Sequence, residues 1–536
     1  MKTFIKVMIL IFIQVSIANS QVSEEWVQRF TSDSVRNESV NDMFIDASGN
    51  VYVTGSQRSL NSNPTPIEGV TVKYNSQGIQ QWIQNYHALN NNGAFCRAIH
   101  VDNSGNVYVT GEDAVFSGGS NKALVIKYGP DGTQLWFYRF SFNSGYCGGY
   151  DIITDADGNV YVTGEYSGVF NNIFLIKFDP SGNLINQTFY NSASEGGRKI
   201  GLDGSGKIII GGYINYNDTL SYIALKYEQN LDFVWAAVWG EGVGNQNTID
   251  MVIDNNSNII LTGTNGITVD YQTVKFDPAG AFVWGRFYNS TSGWDKCRSV
   301  ARDNSGNIYV TGETGNSGFP TSFKMTTIKY DPSGNEVWVN AYDGGNPGVV
   351  GYNGYGVSID DSSNVLVTGI TSGSDFITVK YNNTGQLKWG VTYNGTGNSI
   401  DNVTAVGADH NGNVYTTGTS LGDTTGYDIA LIKYVSATIG IQNLSSEVPD
   451  GYSLSQNYPN PFNPATKLKF GISKSGFVSL KIYNLQGKEV AVLVNENLTP
   501  GSYEFDWDAS GFTSGVFFYK IQSGDYYETK KMLLLK

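Results

Sequence analysis

A chain of 536 residues with 64 Gly, 13% aromatic and only 15% charged side chains has the composition of many short strands joined by tight turns, which excludes a helical or disordered protein. Its formal net charge of −14 argues against nucleic acid and against an anionic membrane surface as partners. The acid sits in the middle of the chain, because residues 453–536 hold nine Lys/Arg against seven Asp/Glu, and it reads as a solvated surface.

Residues 1–20, MKTFIKVMILIFIQVSIANS, have the form of a secretory signal: Lys2 and Lys6 flank a short apolar run, and Ala18-Asn19-Ser20 supplies small residues for cleavage. The run is too short for a membrane anchor, and no other apolar stretch is long enough to span a bilayer. The mature chain is expected to begin near Gln21 and to carry no integral membrane segment.

From there to residue 434 a repeat rules. DNSGNVYVTG at 102–111 returns as DASGNVYVTG at 46–55 and DADGNVYVTG at 155–164, with weaker copies starting at Asp203, Asp254, Asp303, Asp360 and Asp409. Eight copies spaced by 48 to 57 residues indicate one supersecondary unit used repeatedly. In the second copy, strands are expected at 97–101, 107–110, 123–128 and 134–140. The first pair is joined by Asp102-Asn103-Ser104-Gly105-Asn106 and the last pair by Gly129-Pro130-Asp131-Gly132. The third strand has its own signature, Ile126-Lys127-Tyr128 here, with a Lys in all eight units. Nine residues after that Lys stands Trp82, Trp136, Trp235, Trp284, Trp338 or Trp389, with Asn186 in the third unit.

The eighth unit stops at Ile432-Lys433-Tyr434 with no Trp strand after it. The mature chain begins with an orphan of that strand, Trp26-Val27-Gln28-Arg29-Phe30. An N-terminal strand that completes the last sheet closes a ring and removes exposed edges. The expected fold is all-β: an eight-bladed β-propeller over 21–434, closed by an N-terminal strand and followed by a small Ig-like β-sandwich. The D-x-x-G-N-V-Y-V-T-G unit with its I-K-Y and Trp resembles the bacterial β-propeller repeat family called SBBP over roughly residues 22–434. That resemblance implies a surface or secreted setting and brings no general activity with it.

Residues 435–452 break the period and are expected to be a linker. Beyond them, 453–536 should form an all-β unit of about 80 residues, the small sandwich. Its motifs resemble the type A C-terminal sorting domain of the type IX secretion system of Gram-negative Bacteroidota and their relatives. The matching residues are Tyr458-Pro459-Asn460-Pro461-Phe462-Asn463-Pro464, Leu480-Lys481-Ile482-Tyr483-Asn484, Gly501-Ser502-Tyr503, Ser514-Gly515-Val516-Phe517 and Lys530-Lys531-Met532. The resemblance implies export through the periplasm, recognition of this tail by the secretion machinery, and a destination in the medium or on the outer cell surface.

Candidate chemistry is sparse. Asp155-Ala156-Asp157-Gly158-Asn159 looks like half of a calcium loop, but most copies lack the second acid and no late Glu follows, so a hairpin turn is expected. His87, His100 and His410 are scattered, and no hydrolase or phosphate-binding motif occurs. Cys96, Cys147 and Cys297 have no CxxC spacing, leaving a Cys96–Cys147 bond between neighbouring units open. No catalytic residue, cofactor or metal is expected. The repeated Lys should pair within its own unit, with a turn carboxylate. Arg97, Arg198 and Arg298 stand five residues before the turn Asp in units 2, 4 and 6, and Asp42, Asp151 and Asp250 stand four before it in units 1, 3 and 5. These would alternate base and acid around the channel mouth, either as ion pairs between blades or as a polar ligand floor. The short turns should share one face of the ring. The other face should carry long loops such as 56–69, 112–122, 289–296 and 343–354, and binding concentrates in such loops. Trp294 with Asp295, and Tyr352 with Tyr355, are the candidate ligand contacts there. The function expected is an exported, monomeric, non-enzymatic protein binding an extracellular glycan or protein. A secreted polysaccharide-active enzyme with its site on the loop face, and a purely structural surface protein, are the alternatives, since fold does not choose among them.

Overall fold

The computed structural model describes residues 22–536 apart from 31–35, 60–66, 89–92, 115–119, 143–144, 168–169, 217–218, 241–249, 265–269, 291–292, 317–321, 345–350, 398, 423–425, 437–441, 446–447, 510–511 and 513. The expected signal segment and parts of the long loops lie outside the described residues. The chain divides into two compact units, Glu24–Val435 and one containing Ser436–Lys536.

The first unit consists of eight four-stranded sheets. Each of the first seven uses four consecutive strands in the order 1-2-3-4, as in repeat 2, with Gly93–Val101, Val107–Ala114, Lys122–Tyr128 and Gln134–Phe140. The first strand therefore starts four residues earlier than its sequence signature. The eighth sheet holds Asp401–Ala408, Val414–Leu421 and Tyr427–Ser436, and its fourth place is taken by Val22–Phe30.

Each hairpin is closed by its own aspartate. In repeat 2 the Asp102 carboxylate accepts the Ser104 N–H at 2.8 Å, the Asn106 N–H at 2.9 Å and the Asn106 side-chain amide at 2.8 Å. Gly105 takes φ of 78°, a conformation costly to any residue with a Cβ. The Tyr108 hydroxyl donates to the same carboxylate at 2.9 Å. Burial opposes the charge, but these donors outweigh it and hold Asp102 below its ordinary pKa. The carboxylate is occupied by its own turn, which is why the D-x-x-G-N element is a hairpin.

The glycine of V-T-G answers to a bulge. Cys96 faces Gly111 and Ala98 faces Thr110, so Arg97 is an extra residue in the first strand. A Cβ on Gly111 would overlap the carbonyl oxygen of Phe95. The same extra residue recurs as Asn41, Tyr150, Arg198, Arg298, Tyr355 and Thr404.

The core lies between successive sheets. Tyr52, Trp82 and Tyr86 of repeat 1 pack with Cys96, Val107, Val109, Leu124 and Ile126 of repeat 2. Phe30 of the N-terminal strand and Val40, Val51, Val53, Val70 and Val72 of repeat 1 pack with Tyr415, Ile429 and Leu431 of repeat 8 in the same way. Each fully buried aliphatic side chain stabilises by about 1.5–3 kcal/mol. The third-strand Lys and the Trp then tie one repeat to the next. Lys127 Nζ and Trp136 Nε1 donate to the Pro180 carbonyl at 3.0 and 3.2 Å, and Lys226 and Trp235 do the same to Pro278 at 2.9 and 3.3 Å. In repeat 3, Asn186 replaces the Trp and donates to the Asn230 carbonyl at 2.7 Å.

Direct pairing of that Lys with the turn carboxylate occurs in three repeats: Lys226–Asp203 at 2.7 Å, Lys275–Asp254 at 2.9 Å and Lys380–Asp360 at 2.8 Å. In these repeats Ile209, Ile260 and Leu366 replace the tyrosine. Where the tyrosine is present, the Lys lies over its ring instead, Lys127 over Tyr108 at 5.0 Å and Lys329 over Tyr309 at 5.2 Å.

The cysteines are free and buried. Cys96 belongs to the core between repeats 1 and 2 and Cys147 to that between repeats 2 and 3, so the Cys96–Cys147 bond considered from sequence is not formed. Burial pushes each thiol up to about 12.

In the second unit two four-stranded sheets face each other across a core that includes Phe462, Leu468, Ile482, Tyr503, Trp507, Tyr519 and Met532. One sheet orders Gln442–Ser445, Gly501–Asp508, Ala465–Ile472 and Ser453–Leu454. The other orders Glu489–Leu498, Gly476–Asn484, Gly515–Ser523 and Tyr526–Leu534. Gln442–Ser445 lies within the stretch expected to be a linker, yet it pairs antiparallel with Gly501–Asp508.

Candidate functional site

The extra residue of each first-strand bulge gathers the candidate arginines at one level of the repeats. Arg97 pairs with Glu112 at 2.6 Å, Arg198 with Glu165 at 3.1 Å and Arg298 with Glu313 at 3.2 Å. Neighbouring bulge residues stack: Tyr150 takes the Arg198 guanidinium at 4.0 Å from its ring centre and that of Arg97 at 4.9 Å, and Tyr355 takes Arg298 at 4.5 Å. Tyr150 also donates to Glu165 at 3.1 Å and shares a 3.2 Å hydrogen bond with Tyr146, while Tyr213 donates to Glu165 at 3.1 Å. Repeats 2 to 4 thus share one connected network.

Asp42, Asp151 and Asp250 do not join it. They stand one residue further along the strand, and adjacent strand residues project to opposite faces. Their carboxylates accept backbone N–H groups of the next repeat, Ile99 at 2.9 Å, Ile200 at 2.9 Å and Val300 at 3.0 Å. The expected alternation of paired Arg and Asp is therefore replaced by two separate layers. Lys199 is the cation of the Asp layer, 3.7 Å from Asp250. Asp250, then Asp151 and Asp42, hold its pKa above the ordinary value against burial. Burial pushes Asp42 up to about 6 and raises Asp151.

The glutamates escaped the sequence reading, although a signal was present. An acid follows the V-T-G glycine in repeats 2, 3 and 6 only, and two of these repeats carry an arginine at their own bulge. Position also explains Asp295. It stands eight residues before its turn Asp, as do Glu38, Glu195 and Asp401. Asp295 is fully buried and accepts from Ser290 Oγ at 2.6 Å and from the Gly315 N–H at 3.3 Å. Glu195 accepts the Ser192 and Ala193 N–H groups, and Asp401 that of Gly395 at 2.8 Å. Asp295 thus supports the preceding loop from below and does not reach a ligand as a surface group.

Trp294 beside it is 42% exposed with Lys296 5.3 Å from its ring centre. Tyr352 is half-buried edge-on against Tyr342, and Tyr355 lies beneath Arg298. Among the described residues no three His, Cys, Asp or Glu side chains gather as metal ligands. His100 is held down to about 4 by burial and shares a hydrogen bond with Thr154 at 3.0 Å. His87 lies 3.0 Å from Glu68, and His410 lies 2.6 Å from Asp361 at an exposed site.

In the second unit the Tyr458–Pro464 segment is laid along the last strand. Phe462 is buried against Trp507, and its backbone exchanges 3.0 Å hydrogen bonds with Leu533 and Leu535. Asn460 accepts the Leu533 N–H at 3.0 Å. The Pro459 carbonyl accepts from Thr466 at 2.8 Å and from Asn457 at 3.0 Å, and that of Pro464 accepts the Ala509 N–H at 2.9 Å. Pro459, Asn460, Pro461, Asn463 and Pro464 are exposed. Gly501 is buried, and Tyr503 closes its hairpin by donating to the Thr499 carbonyl at 2.6 Å. Gly515 opens the strand Gly515–Ser523. Lys530 pairs with Glu528 at 3.0 Å, and Lys531 is exposed. The motif thus combines a buried anchor with an exposed Pro/Asn surface.

Comparison with known proteins agrees with this division. Residues 456–535 match the family model of the secretion system C-terminal sorting domain, and residues 288–320 match that of the beta-propeller repeat. No curated protein matches the chain in sequence. Among solved structures, PorZ, a surface component of the type-IX secretion system of Porphyromonas gingivalis, aligns with 93% of this chain and 86% of its own at 10% identity and a TM-score of 0.31. The β-propeller domain of the Trilobed protease of Pyrococcus furiosus aligns with 66% of this chain and 97% of its own, at 11% identity and a TM-score of 0.39. The polysaccharide lyase Uly1 aligns with 63% and 89%, at 10% identity and a TM-score of 0.39. No helix among the described residues is long and apolar enough to cross a membrane. The chain carries the beta-propeller repeat and ends in a type IX sorting domain, the tail that marks a protein for export to the cell surface or the medium.

Proposed function

We propose that residues 21–434 form a closed eight-bladed β-propeller, and that 453–536 form an Ig-like sandwich read by the type IX secretion machinery. The mature protein is then an exported, non-enzymatic binding or scaffold protein that presents the loop end of its propeller to an extracellular partner. A signal peptide over 1–20 would deliver it to the periplasm. The observation that carries this reading is the sorting-domain match over 456–535.

Other features support it. Contacts at the junction of repeats 8 and 1 repeat those at the other junctions, as a ring requires. Glu112, Glu165 and Glu313 are engaged by arginines, and Glu195, Asp295 and Asp401 by backbone N–H groups, so these loop-end carboxylates serve structure before chemistry. Trp294 remains a candidate contact, with Arg97 and Arg298 as partly exposed cations deeper in. Cell fractionation of a strain expressing the chain truncated after residue 452 tests the export step. The truncated protein should accumulate in the periplasm while the full chain leaves the cell. Normal release of the truncated protein would overturn the sorting assignment.

A further inference from the structure

The junction between repeats 8 and 1 holds a cavity of about 320 Å³ at the loop end. Repeat 8 supplies one wall through Asn402, Thr419 and Tyr427, and repeat 1 the opposite wall through Glu38, Ser56 and Gln57; Phe95 of repeat 2 completes it. The walls are fixed. Asn37 accepts the Tyr427 N–H at 3.1 Å, and Thr404 donates to the Val40 carbonyl at 3.1 Å. A Cβ on Gly426 would overlap the Arg36 carbonyl, so the two repeats meet here at backbone distance.

Gln57 carries the chemistry. It is 1% exposed, and its Nε2 donates to Glu68 at 2.8 Å. A carboxylate only accepts, so the amide orientation is fixed and Oε1 is the atom facing elsewhere. That oxygen has no hydrogen-bond partner among the described residues. A buried amide acceptor left unmade costs about 1–3 kcal/mol, which a donor entering the cavity would offset.

The lining sets the rings of Phe95 and Tyr427 beside hydroxyl and amide groups, and its charges are balanced, one acid, Glu38, 2% exposed, and one base, Arg58, exposed at the surface. The hydroxyls of Ser39, Ser56 and Thr419 and the amides of Asn37, Gln57 and Asn402 both donate and accept, which suits a ligand whose polar groups do both. The volume is at the lower end of the roughly 300–1,000 Å³ of small-molecule sites. We infer that this cavity at the ring junction binds a single neutral sugar residue, with a ligand hydroxyl donating towards Gln57 Oε1 and the ring of Tyr427 or Phe95 against its apolar face. The inference rests on the reading of the loop end as the binding side of the protein.

The test uses the full mature chain and saturation-transfer NMR on methyl glycosides of glucose, galactose, mannose, fucose and N-acetylglucosamine, followed by titration. At least one glycoside should bind saturably. Thr419→Trp, which fills the cavity from a partly exposed strand position, and Tyr427→Ala should each weaken that binding by about tenfold or more, equivalent to about 1.4 kcal/mol, with unchanged thermal unfolding. Gln57→Leu should weaken it too, although it also removes a hydrogen bond to Glu68. Binding that persists in both Thr419→Trp and Tyr427→Ala would overturn the cavity assignment and leave the loop end as a binding face elsewhere. No glycoside binding by the unaltered chain would overturn the sugar inference, while export and the response to loss of residues 453–536 would still stand as tested separately.

Discussion

The junction between repeats 8 and 1 differs in part from the ordinary junctions between successive repeats. At the short-turn end the two kinds agree in packing and in the Lys contact, although the Trp26 Nε1 has no acceptor among the described residues where Trp82 and Trp136 each have one. Lys433 of repeat 8 donates to the Ser76 carbonyl of repeat 1 at 2.9 Å, as Lys127 does to Pro180 at 3.0 Å. Trp26 packs 2.7 Å from where a Cβ on Gly78 would stand, as Trp82 does below Gly132. At the loop end they part. On the face of the eighth sheet turned to repeat 7, Arg29 of the N-terminal strand holds Asp428 at 2.8 Å, Ser420 at 2.8 Å and Tyr393 at 3.0 Å, whereas the cavity opens on its other face, towards repeat 1. The turn end is built to one rule, and the loop end is where each junction is individual. The end of the repeats leaves a mark one junction earlier. Repeat 8 lacks a turn between its third and fourth strands, and the buried Trp389 Nε1 has no acceptor among the described residues, whereas Trp82 Nε1 donates to Pro130 at 3.0 Å.

The largest expected effect tests the agreement. Trp26→Ala and Trp82→Ala should each destabilise by about 3 kcal/mol in urea unfolding, as aromatic truncation in a core does. A near-neutral Trp26→Ala would mean that the N-terminal strand is an appendage. Arg29→Met tests the difference. Asp428 is 1% exposed, and taking away its guanidinium should cost about 2–3 kcal/mol by the same measurement.

A smaller effect belongs to the layer of Asp42, Asp151 and Asp250 around Lys199. The Asp42 carboxyl is raised in the folded state to about 6 by burial, so its contribution to stability is fully present below the unfolded value of about 3.9 and is lost as pH rises through 6. Lys199→Met should raise the folded pKa of Asp42 and Asp151 further, since the Lys199 charge opposes the effect of burial on both. It should therefore destabilise by about 1–2 kcal/mol at pH 7 and by little at pH 4, read as the difference in melting temperature between the two pH values. Equal losses at both would exclude the electrostatic role.

The smallest effect is a gain. Ser363 takes φ of 59° where Gly105 takes 78° in the same turn position. Ser363→Gly should stabilise by up to about 1 kcal/mol, and a loss would show that this turn is not under the strain its conformation implies.

Much of the turn end was legible in the sequence because the repeats agree there. Asp102, Gly105, Lys127 and Trp136 could be placed on turns and strands from spacing alone. The bulge could not, because one extra residue leaves the period intact while turning Arg97 and Asp42 onto different faces. The Lys partner could not either, since it depends on whether Tyr108 or Ile209 fills the next layer. Asp295 looked like a loop residue beside an exposed Trp, and only packing shows it buried beneath the loop. The cavity was least legible of all. Its walls come from Gln57 and Tyr427, 370 positions apart and brought together where repeat 8 packs on repeat 1.

Closure is therefore the central claim, and hydrogen exchange tests it most directly. Amides of the strand Val22–Phe30 should exchange as slowly as those of Gln80–His87, the fourth strand of repeat 1, because both complete a four-stranded sheet. Exchange of 22–30 at the rate of a free terminus, with 80–87 protected, would contradict a ring closed by the N-terminal strand.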